Sequence, residues 1–266
     1  LKHSEFHCEH PCRHAKECPA SEWGIVTYDC QLSEKTELVR RVLRGVVEAE
    51  LVSEIWPSPQ QWGYRNRLTL QVRMREHGGA ELGYATGARG AGFTPIKKCL
   101  LATEPVAQGV GHAGWILRDL RDLTEAILPD RMAFFETSEG PGAMAIFKGR
   151  PDETDVQHFL ELAQKIELPG GIWAASSNQV GIVGERGTFW REEECRAMQV
   201  DWMGKKLEVH PAGFTQVNEE AFAEVLSYLK SQRDVFAART IWDLYGGYGA
   251  IGFAAALNGS RVHVVE

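Results

Sequence analysis

The sequence predicts an α/β chain in which a mixed α+β region precedes the opening unit of a doubly wound parallel sheet. In the centre, the alternating run 67–75 and several short apolar runs bounded by turn residues are typical of strands. At the end, the run 240–266 has the order strand, glycine-rich turn, helix, strand. We therefore expect three regions, namely a cysteine-rich segment with a helix (1–56), an α+β domain (57–205) and the first part of the doubly wound domain (206–266).

Composition narrows the possible classes of protein. The 266 residues are 44% hydrophobic and 24% charged, with a formal net charge of −7, as in a globular protein in water. No apolar run approaches the roughly 20 residues that span a membrane, and the first residues lack the apolar core of a signal peptide. We expect a cytoplasmic monomer without a membrane partner. The negative charge excludes a uniformly basic surface, although a local basic cleft for nucleic acid is compatible with it.

The elements follow from hydrophobic periodicity and turn residues, taken in chain order. Apolar residues at helical spacing predict a helix between Tyr28 and Leu51, and a strand at 67–75 is followed by a turn at His77–Gly79. Further strands are predicted at 80–84, 133–137, 143–147, 172–176, 179–183 and 206–210. Further helices are predicted at 115–128, 156–166 and 219–230, the last with Asn218 as its N-cap.

The last unit indicates a nucleotide-type cofactor. Ile241, Trp242 and Leu244 suit a buried parallel strand, and the glycines of the following turn allow a ligand to approach the backbone closely. The helix that follows then directs its N-terminus at that ligand. Glu266 ends the second strand, where its carboxylate can accept hydrogen bonds from two ribose hydroxyls.

Two classes of cofactor fit this turn. The run 247–252 matches the dinucleotide fingerprint, so an NAD- or FAD-dependent oxidoreductase is one interpretation. Asp243, just before the turn, favours S-adenosylmethionine, because a carboxylate there would attract a cationic group and repel a pyrophosphate.

Four segments, in order along the chain, resemble the S-adenosylmethionine-dependent RNA uracil-5-methyltransferases, which act on tRNA or ribosomal RNA. They are the Tyr-x-x-Gln-Leu-x-x-Lys run at 28–35, the Pro…Tyr-Arg-Asn-Arg run at 57–67, Phe-Thr-Gln-Val-Asn at 214–218 and Asp-Leu-Tyr-Gly-Gly-Tyr-Gly at 243–249. The resemblance covers residues 12–266. It implies a central α+β domain followed by a class I (Rossmann-like) methyltransferase domain, of which this sequence is expected to hold only the first part.

The resemblance also implies which residues bind the cofactor. Gln216 would hydrogen-bond it, Tyr245 would lie along it, and Glu266 would hold the ribose. Asp243, Gly247 and Gly249 complete the expected cofactor-binding set. The chain departs from the family pattern at Gly246, where a cysteine is usual, and at Ala250, where a polar residue is frequent.

Many members of this family carry a [4Fe–4S] cluster on a Cys-x5-Cys-x2-Cys run and one distant cysteine. Cys12 and Cys18 match the first spacing and Cys99 resembles the distant ligand, but Ser21 occupies the third position of the run. Because such clusters normally need four thiolates, Cys8 is expected to supply the missing one. Nearby histidines keep zinc as an alternative, and a decayed site with free thiols is another.

The resemblance further implies RNA contacts at Tyr64, Arg65 and Arg67, where phosphate neutralisation and base stacking would combine. It implies a reaction in which a cysteine thiolate adds to uracil C6, C5 accepts the methyl group, and a base removes the C5 proton. In the family these groups follow the second strand of the methyltransferase sheet, and no cysteine here matches, so we assign no catalytic residue. Two alternatives stay open, namely a dinucleotide-dependent oxidoreductase and a non-catalytic RNA-binding iron–sulfur module.

Overall fold

The computed structural model describes residues 12–14, 18, 23–86, 92–121, 123–125, 127–149, 152–176, 179–183, 198–202 and 205–266. Its helices are α1 (Tyr28–Val42), α2 (Glu104–Asp119), α3 (Glu153–Ala163), α4 (Glu219–Ser231), α5 (Arg233–Phe236) and α6 (Ala250–Ala256). Its strands are β1 (Arg67–Met74), β2 (Ala80–Thr86), β3 (Gly92–Pro95), β4 (Arg131–Thr137), β5 (Gly140–Phe147), β6 (Ile172–Ser176), β7 (Gln179–Val183), β8 (Met198–Trp202), β9 (Lys205–Val209), β10 (Thr240–Leu244) and β11 (Arg261–Val265).

A seven-stranded sheet forms the centre of the molecule, with the strand order β3-β2-β1-β4-β5-β6-β7. Its neighbouring strands are antiparallel except for β5 and β6, which run parallel and are joined through α3. Helices α2 and α3 cover one face, where Leu68, Val106 and Phe159 belong to one buried cluster. This layer of helices on one face is the α+β arrangement that the sequence predicts for the centre.

Strand β4 is buried on both faces of this sheet. Met132 and Phe134 point towards the helices, whereas Ala133 and Phe135 belong to a second cluster on the opposite face. That second cluster includes Val209 at the end of β9, and β8 contacts β4. The hairpin β8–β9 therefore covers part of the face that α2 and α3 leave open, because alternate side chains of one strand point to opposite sides.

Two predicted helices have a boundary that is wrong by nine residues or more, whereas the other predicted elements differ from the structure by at most three residues at an end. The helix expected at 115–128 is α2, which begins at Glu104 with Pro105 in its first turn and ends at Asp119. Glycines at 109, 111 and 114 interrupt the apolar pattern and hide this helix from a periodicity argument. The helix expected to reach Leu51 ends at Val42, since the chain turns at Gly45, whose φ is +83°.

Other predictions are confirmed. Strands β6 and β7 coincide with the predicted runs, and Asn218 caps α4 by accepting a hydrogen bond from the N–H of Ala221 at 3.0 Å. Strands β3 and β8 were not among the strands predicted from hydrophobic periodicity. Among the helices of the described ranges, none is long and apolar enough to cross a bilayer.

The last unit has the predicted order, with β10 and β11 parallel and α6 between them. The expectation that β10 is buried is wrong, because Trp242 is 63% exposed and Leu244 is 60% exposed. In the part of the chain that the structure describes, this sheet has two strands, so no further strand or helix covers its outer face. Asp243, between these residues, points inward and is buried.

Candidate cofactor site

A cavity of about 320 Å³ lies where the central sheet meets the last βαβ unit. Its walls come from Asn66 and the end of β4, from the segment before α4, and from the turn after β10. Four residues of the expected cofactor-binding set line this cavity, namely Gln216, Asp243, Tyr245 and Gly247. The other two, Gly249 and Glu266, are outside the lining but hold the same turn by hydrogen bonds to Gly246 and Gly247.

The turn after β10 is held in a conformation that most residues avoid. Gly247 and Gly249 have φ of +56° and +77°, and the N–H of Gly249 closes the turn by donating to the carbonyl of Gly246 at 2.8 Å. Tyr245 also has a positive φ of +57°, and its side chain is 94% exposed. A non-glycine residue in the left-handed region costs about 1–3 kcal/mol and is frequent at ligand sites.

Two carboxylates accept hydrogen bonds from N–H groups of this turn and of the helix that follows it. Asp243 is 8% exposed, and its Oδ2 accepts a hydrogen bond from the N–H of Gly252 at 2.8 Å. Glu266 Oε2 accepts one from the N–H of Gly247, also at 2.8 Å. A dinucleotide pyrophosphate would need backbone donors of this kind, and both already serve a carboxylate.

Gly252 shows why the fingerprint spacing occurs here. A Cβ at this position would lie 2.8 Å from Val262 Cγ1 and 3.0 Å from Asp243 Oδ2. Only glycine therefore lets α6 approach β10 and β11 this closely, and this approach brings the N–H of Gly252 to the Asp243 carboxylate.

The charge of the lining is negative. Glu136, Glu219 and Asp243 line the cavity, and none of its described lining residues is Lys, Arg or His. Such a lining attracts a cationic ligand and opposes one that carries two phosphates.

The segment that carries Phe214 and Gln216 is held in place by Arg67. The Arg67 guanidinium donates to the carbonyl of Gly213 at 2.7 Å and to the carbonyl of Pro211, and it lies 5.2 Å from the centre of the Phe135 ring. Burial lowers the pKa of this guanidinium. These contacts favour a structural role for Arg67 over the RNA contact that the resemblance implies.

Two more contacts complete this support. The hydroxyl of Tyr248 accepts a hydrogen bond from the N–H of His210 at 2.8 Å, and thereby joins the glycine-rich turn to the turn at 210–213. The side-chain amide of Asn66 donates to the carbonyl of Gln216 at 3.2 Å. Asn66 next to β1 therefore holds Gln216, and Tyr248 of the glycine-rich turn holds the start of the same segment at His210.

We expect Arg67→Met to lower the free energy of unfolding by about 2–3 kcal/mol, because it removes charge-assisted hydrogen bonds to two carbonyls and the cationic contact with the Phe135 ring. Arg73→Met is the matched control, since the exposed Arg73 lies 5.7 Å from the Phe93 ring and is expected to contribute about 0.5–1 kcal/mol. Urea unfolding measures both variants. Equal losses would contradict the role of Arg67 as a clamp.

Sequence reasoning missed several lining residues. Tyr248 and Glu219 lie inside or beside recognised motifs, so their positions could have been proposed from the sequence. Asn66 also lies inside a quoted run. Phe135 and Glu136 belong to a strand far away in sequence, and no local pattern points to them.

The expected metal ligands are only partly described. Cys99 is buried, and burial is the main cause that raises the pKa of its thiol, while the N–H groups of Leu101 and Ala102 act in the opposite direction. Cys18 lies close enough for its charge to raise the pKa of Cys99 further. Cys12 is half-exposed, and Cys8 lies outside the described residues. In the described ranges, no three His, Cys, Asp or Glu side chains are placed to hold one metal ion.

Comparison with known proteins supports the resemblance seen in the sequence, although no family model matches the chain. An uncharacterized RNA methyltransferase of Caldanaerobacter subterraneus is 21% identical over 294 residues, which cover 100% of this chain and 61% of that protein. The 23S rRNA (uracil(1939)-C(5))-methyltransferase of Alcanivorax borkumensis is 24% identical, over 96% of this chain and 56% of that protein. The tRNA (uracil(54)-C(5))-methyltransferase of Pyrococcus furiosus is also 24% identical, over 94% of this chain and 57% of that protein.

The fold has a solved counterpart. The tRNA (uracil-54, C5)-methyltransferase of Pyrococcus abyssi, solved in complex with S-adenosyl-L-homocysteine, superimposes with a TM-score of 0.62 at 16% identity, over 91% of this chain and 64% of that one. The chain spans between 56% and 61% of the length of the three relatives above. The predicted resemblance is confirmed: over nearly all of its length, the chain is similar to RNA methyltransferases that include uracil-C5 methyltransferases of tRNA and of 23S rRNA.

Proposed function

We propose that this chain is the RNA-binding and cofactor-binding part of an S-adenosylmethionine-dependent RNA uracil-5-methyltransferase. The observation that carries the proposal is the cavity between the central sheet and the last βαβ unit, whose lining holds three carboxylates and, among its described residues, no basic side chain. S-adenosylmethionine supplies an electrophilic methyl group on a positively charged sulfur. A negatively charged lining stabilises that charge, whereas it opposes a dinucleotide.

The residues present fit this cofactor. Asp243 and Glu266 already order the turn that would contact the nucleoside, and Glu266 stands at the strand end where a ribose is bound in such folds. Tyr245 offers an exposed ring beside the cavity, and Gln216 offers an amide. Target uridine would enter from the side of the central domain, flipped out of its stack.

Calorimetric titration of the 266-residue chain with S-adenosylhomocysteine and with NADH tests the class of cofactor. We expect binding of S-adenosylhomocysteine and no binding of NADH. The opposite result would favour the dinucleotide-dependent oxidoreductase instead.

For the RNA substrate, whether tRNA or ribosomal RNA, Arg65 and Tyr64 are the stronger candidates in the expected binding run. Arg65 is half-buried, and its charge lowers the pKa of Cys99 and of Tyr84, although burial raises both more strongly. We expect Arg65→Gln to weaken binding of a uridine-containing RNA loop and to reduce the slope of log affinity against log salt by about one, as for loss of one phosphate contact. Fluorescence anisotropy at several salt concentrations measures this. An unchanged slope would assign Arg65 to the structure of the protein.

For the metal, we propose a [4Fe–4S] cluster whose ligands would be Cys12, Cys18, Cys99 and Cys8, although the three of these thiols that the structure describes do not form one group there. The nearness of Cys18 to Cys99 and the N–H groups facing the Cys99 sulfur support this, because such hydrogen bonds are typical of cluster thiolates. Anaerobically purified protein is expected to be brown and to contain iron and sulfide. Stoichiometric zinc without iron would identify a zinc site, and absence of both metals would indicate free thiols.

A further inference from the structure

The outer face of α2 carries an exposed tryptophan that neither the fold nor the cofactor cavity uses. Helix α2 buries Val106, Val110, Ala113 and Leu117 against the central sheet. On its opposite side, Trp115 is 63% exposed, with His112 and Arg118 exposed one turn before and one turn after it. Residues three apart on a helix are neighbours, so the indole ring lies between two groups that can carry positive charge.

Two glycines of α2, at positions 111 and 114, are not required by close packing. A Cβ at Gly111 would meet only the Lys97 carbonyl at 3.8 Å, and one at Gly114 would meet only Leu82 Cδ1 at 3.9 Å, outside the helix itself. Both are ordinary contacts, so packing does not require glycine at either position. Apart from proline, glycine is the least favourable residue in a helix interior, and alanine would suit both sites better. By contrast, Gly109 is packed closely, with Pro141 Cβ only 3.0 Å from a Cβ built there.

Trp115 and Gly111 lie on the same side of α2, because residues four apart on a helix are neighbours. The absence of a Cβ at Gly111 leaves the helix surface open one turn before Trp115, whereas a Cβ at Gly114 would face Leu82 of the buried cluster. A flat ligand could therefore stack on the exposed indole ring without meeting a side chain at position 111.

Lys and Arg side chains near Trp115 come from α2, from the segment at 97–98 and from the hairpin between β1 and β2. Lys97 and Lys98 are exposed beside Gly111, and Arg118 is exposed at the other end. Arg75 donates to the Arg118 carbonyl at 3.5 Å, and Arg121 donates to the His77 carbonyl of the same hairpin. The described residues of these elements also carry the carboxylates Glu76, Glu81, Glu104 and Asp119, one fewer than the five Lys and Arg side chains named above, in a chain whose net charge is −7.

We propose that the outer face of α2 around Trp115 is a second RNA-binding surface, on which an unpaired base stacks while the surrounding Lys and Arg side chains neutralise phosphates. This proposal rests on the proposed RNA substrate. The helix begins next to the cavity, since the N–H of Thr103 donates to the Arg65 carbonyl at 2.9 Å. At about 1.5 Å per residue, Trp115 lies roughly 16 Å further along the helix than Glu104. The surface would therefore hold nucleotides a short distance from the target uridine.

Binding of a labelled single-stranded RNA 12-mer that contains uridine tests the proposal, measured by fluorescence anisotropy over a salt series. We expect Trp115→Ala to weaken binding about 10-fold, which corresponds to about 1.4 kcal/mol and falls in the range for loss of one stacked base. The salt dependence should not change, because tryptophan neutralises no phosphate. Trp242→Ala is the matched control, since Trp242 is also 63% exposed but stacks on His263 at 4.6 Å, and its affinity should equal that of the unaltered protein.

The double variant Gly111→Ala/Gly114→Ala gives an independent readout. We expect it to raise the midpoint of thermal unfolding and, at the same time, to weaken RNA binding, because the methyl group at position 111 occupies the helix surface one turn before Trp115. If the two glycines serve only the structure of the protein, the double variant should instead have a lower midpoint of unfolding or an unchanged affinity for RNA.

Several results would overturn the proposal. One is RNA binding by Trp115→Ala that is as tight as that of Trp242→Ala, and another is failure of the unaltered chain to bind the 12-mer. A dimer in sedimentation that becomes a monomer on Trp115→Ala would assign the surface to self-association. Calorimetry with S-adenosylhomocysteine, run on the same proteins, keeps the two proposals apart. Binding of that ligand with unchanged RNA affinity in Trp115→Ala would reject the α2 surface alone, whereas its absence in the unaltered chain would count against the proposed function.

Discussion

Asp243→Ala is expected to weaken binding of S-adenosylhomocysteine by at least about 30-fold, which corresponds to about 2 kcal/mol. The substitution removes a buried carboxylate and leaves the N–H of Gly252 without its acceptor at 2.8 Å. Helix α6 would then shift against β10, and the turn that carries Tyr245 and Gly247 would lose its fixed conformation. Calorimetric titration measures the change, and unaltered affinity would show that the turn does not depend on this carboxylate.

Asp243→Asn separates the two roles that this residue can have. The amide keeps an oxygen acceptor for Gly252 but removes the charge. If the carboxylate also stabilises a cationic ligand, affinity for S-adenosylmethionine, with its positive sulfur, should fall more than affinity for the neutral thioether S-adenosylhomocysteine. Equal losses for both ligands would restrict Asp243 to ordering the turn.

Gly79→Ala is expected to lower the free energy of unfolding by about 4 kcal/mol or more, the largest effect on stability that we expect of a single methyl group here. Gly79 has a φ of +73°, and a Cβ would lie 2.0 Å from the carbonyl oxygen of Arg118. Since that oxygen belongs to the backbone of α2, the hairpin between β1 and β2 would have to move away from the helix. Urea unfolding of the variant measures the loss.

Gly45→Ala provides the control for backbone conformation. Gly45 has a φ of +83°, and a Cβ there would meet nothing within 4 Å. It should cost about 1 kcal/mol, the strain of a left-handed alanine reduced by the lower entropy of the unfolded chain. Similar losses for the two variants would show that strain, and not the contact with α2, determines the effect at Gly79.

The sequence by itself determined the local units of this protein. The order strand, turn, helix, strand at 240–266 and the N-cap at Asn218 were predicted and observed. Such features depend on residues a few positions apart, whose spacing is visible in the sequence. Motif order along the chain also predicted the family resemblance, because motifs are local too. Helix α2 shows the limit of this reasoning, since its glycines break the periodicity while its buried face still packs on the sheet.

Only the tertiary structure shows which groups the candidate site residues contact. The cavity joins Asn66, Glu136 and Asp243, which are separated by about 70 residues or more along the chain. Arg67 belongs to a run that resembles an RNA-binding motif, yet its guanidinium is held by the carbonyls of Pro211 and Gly213. A buried donor must form a hydrogen bond, because it has lost its contact with water. The acceptor that it reaches depends on how distant segments of the chain pack against each other. A sequence pattern shows which chemical group a position carries, and the fold determines which partner that group contacts.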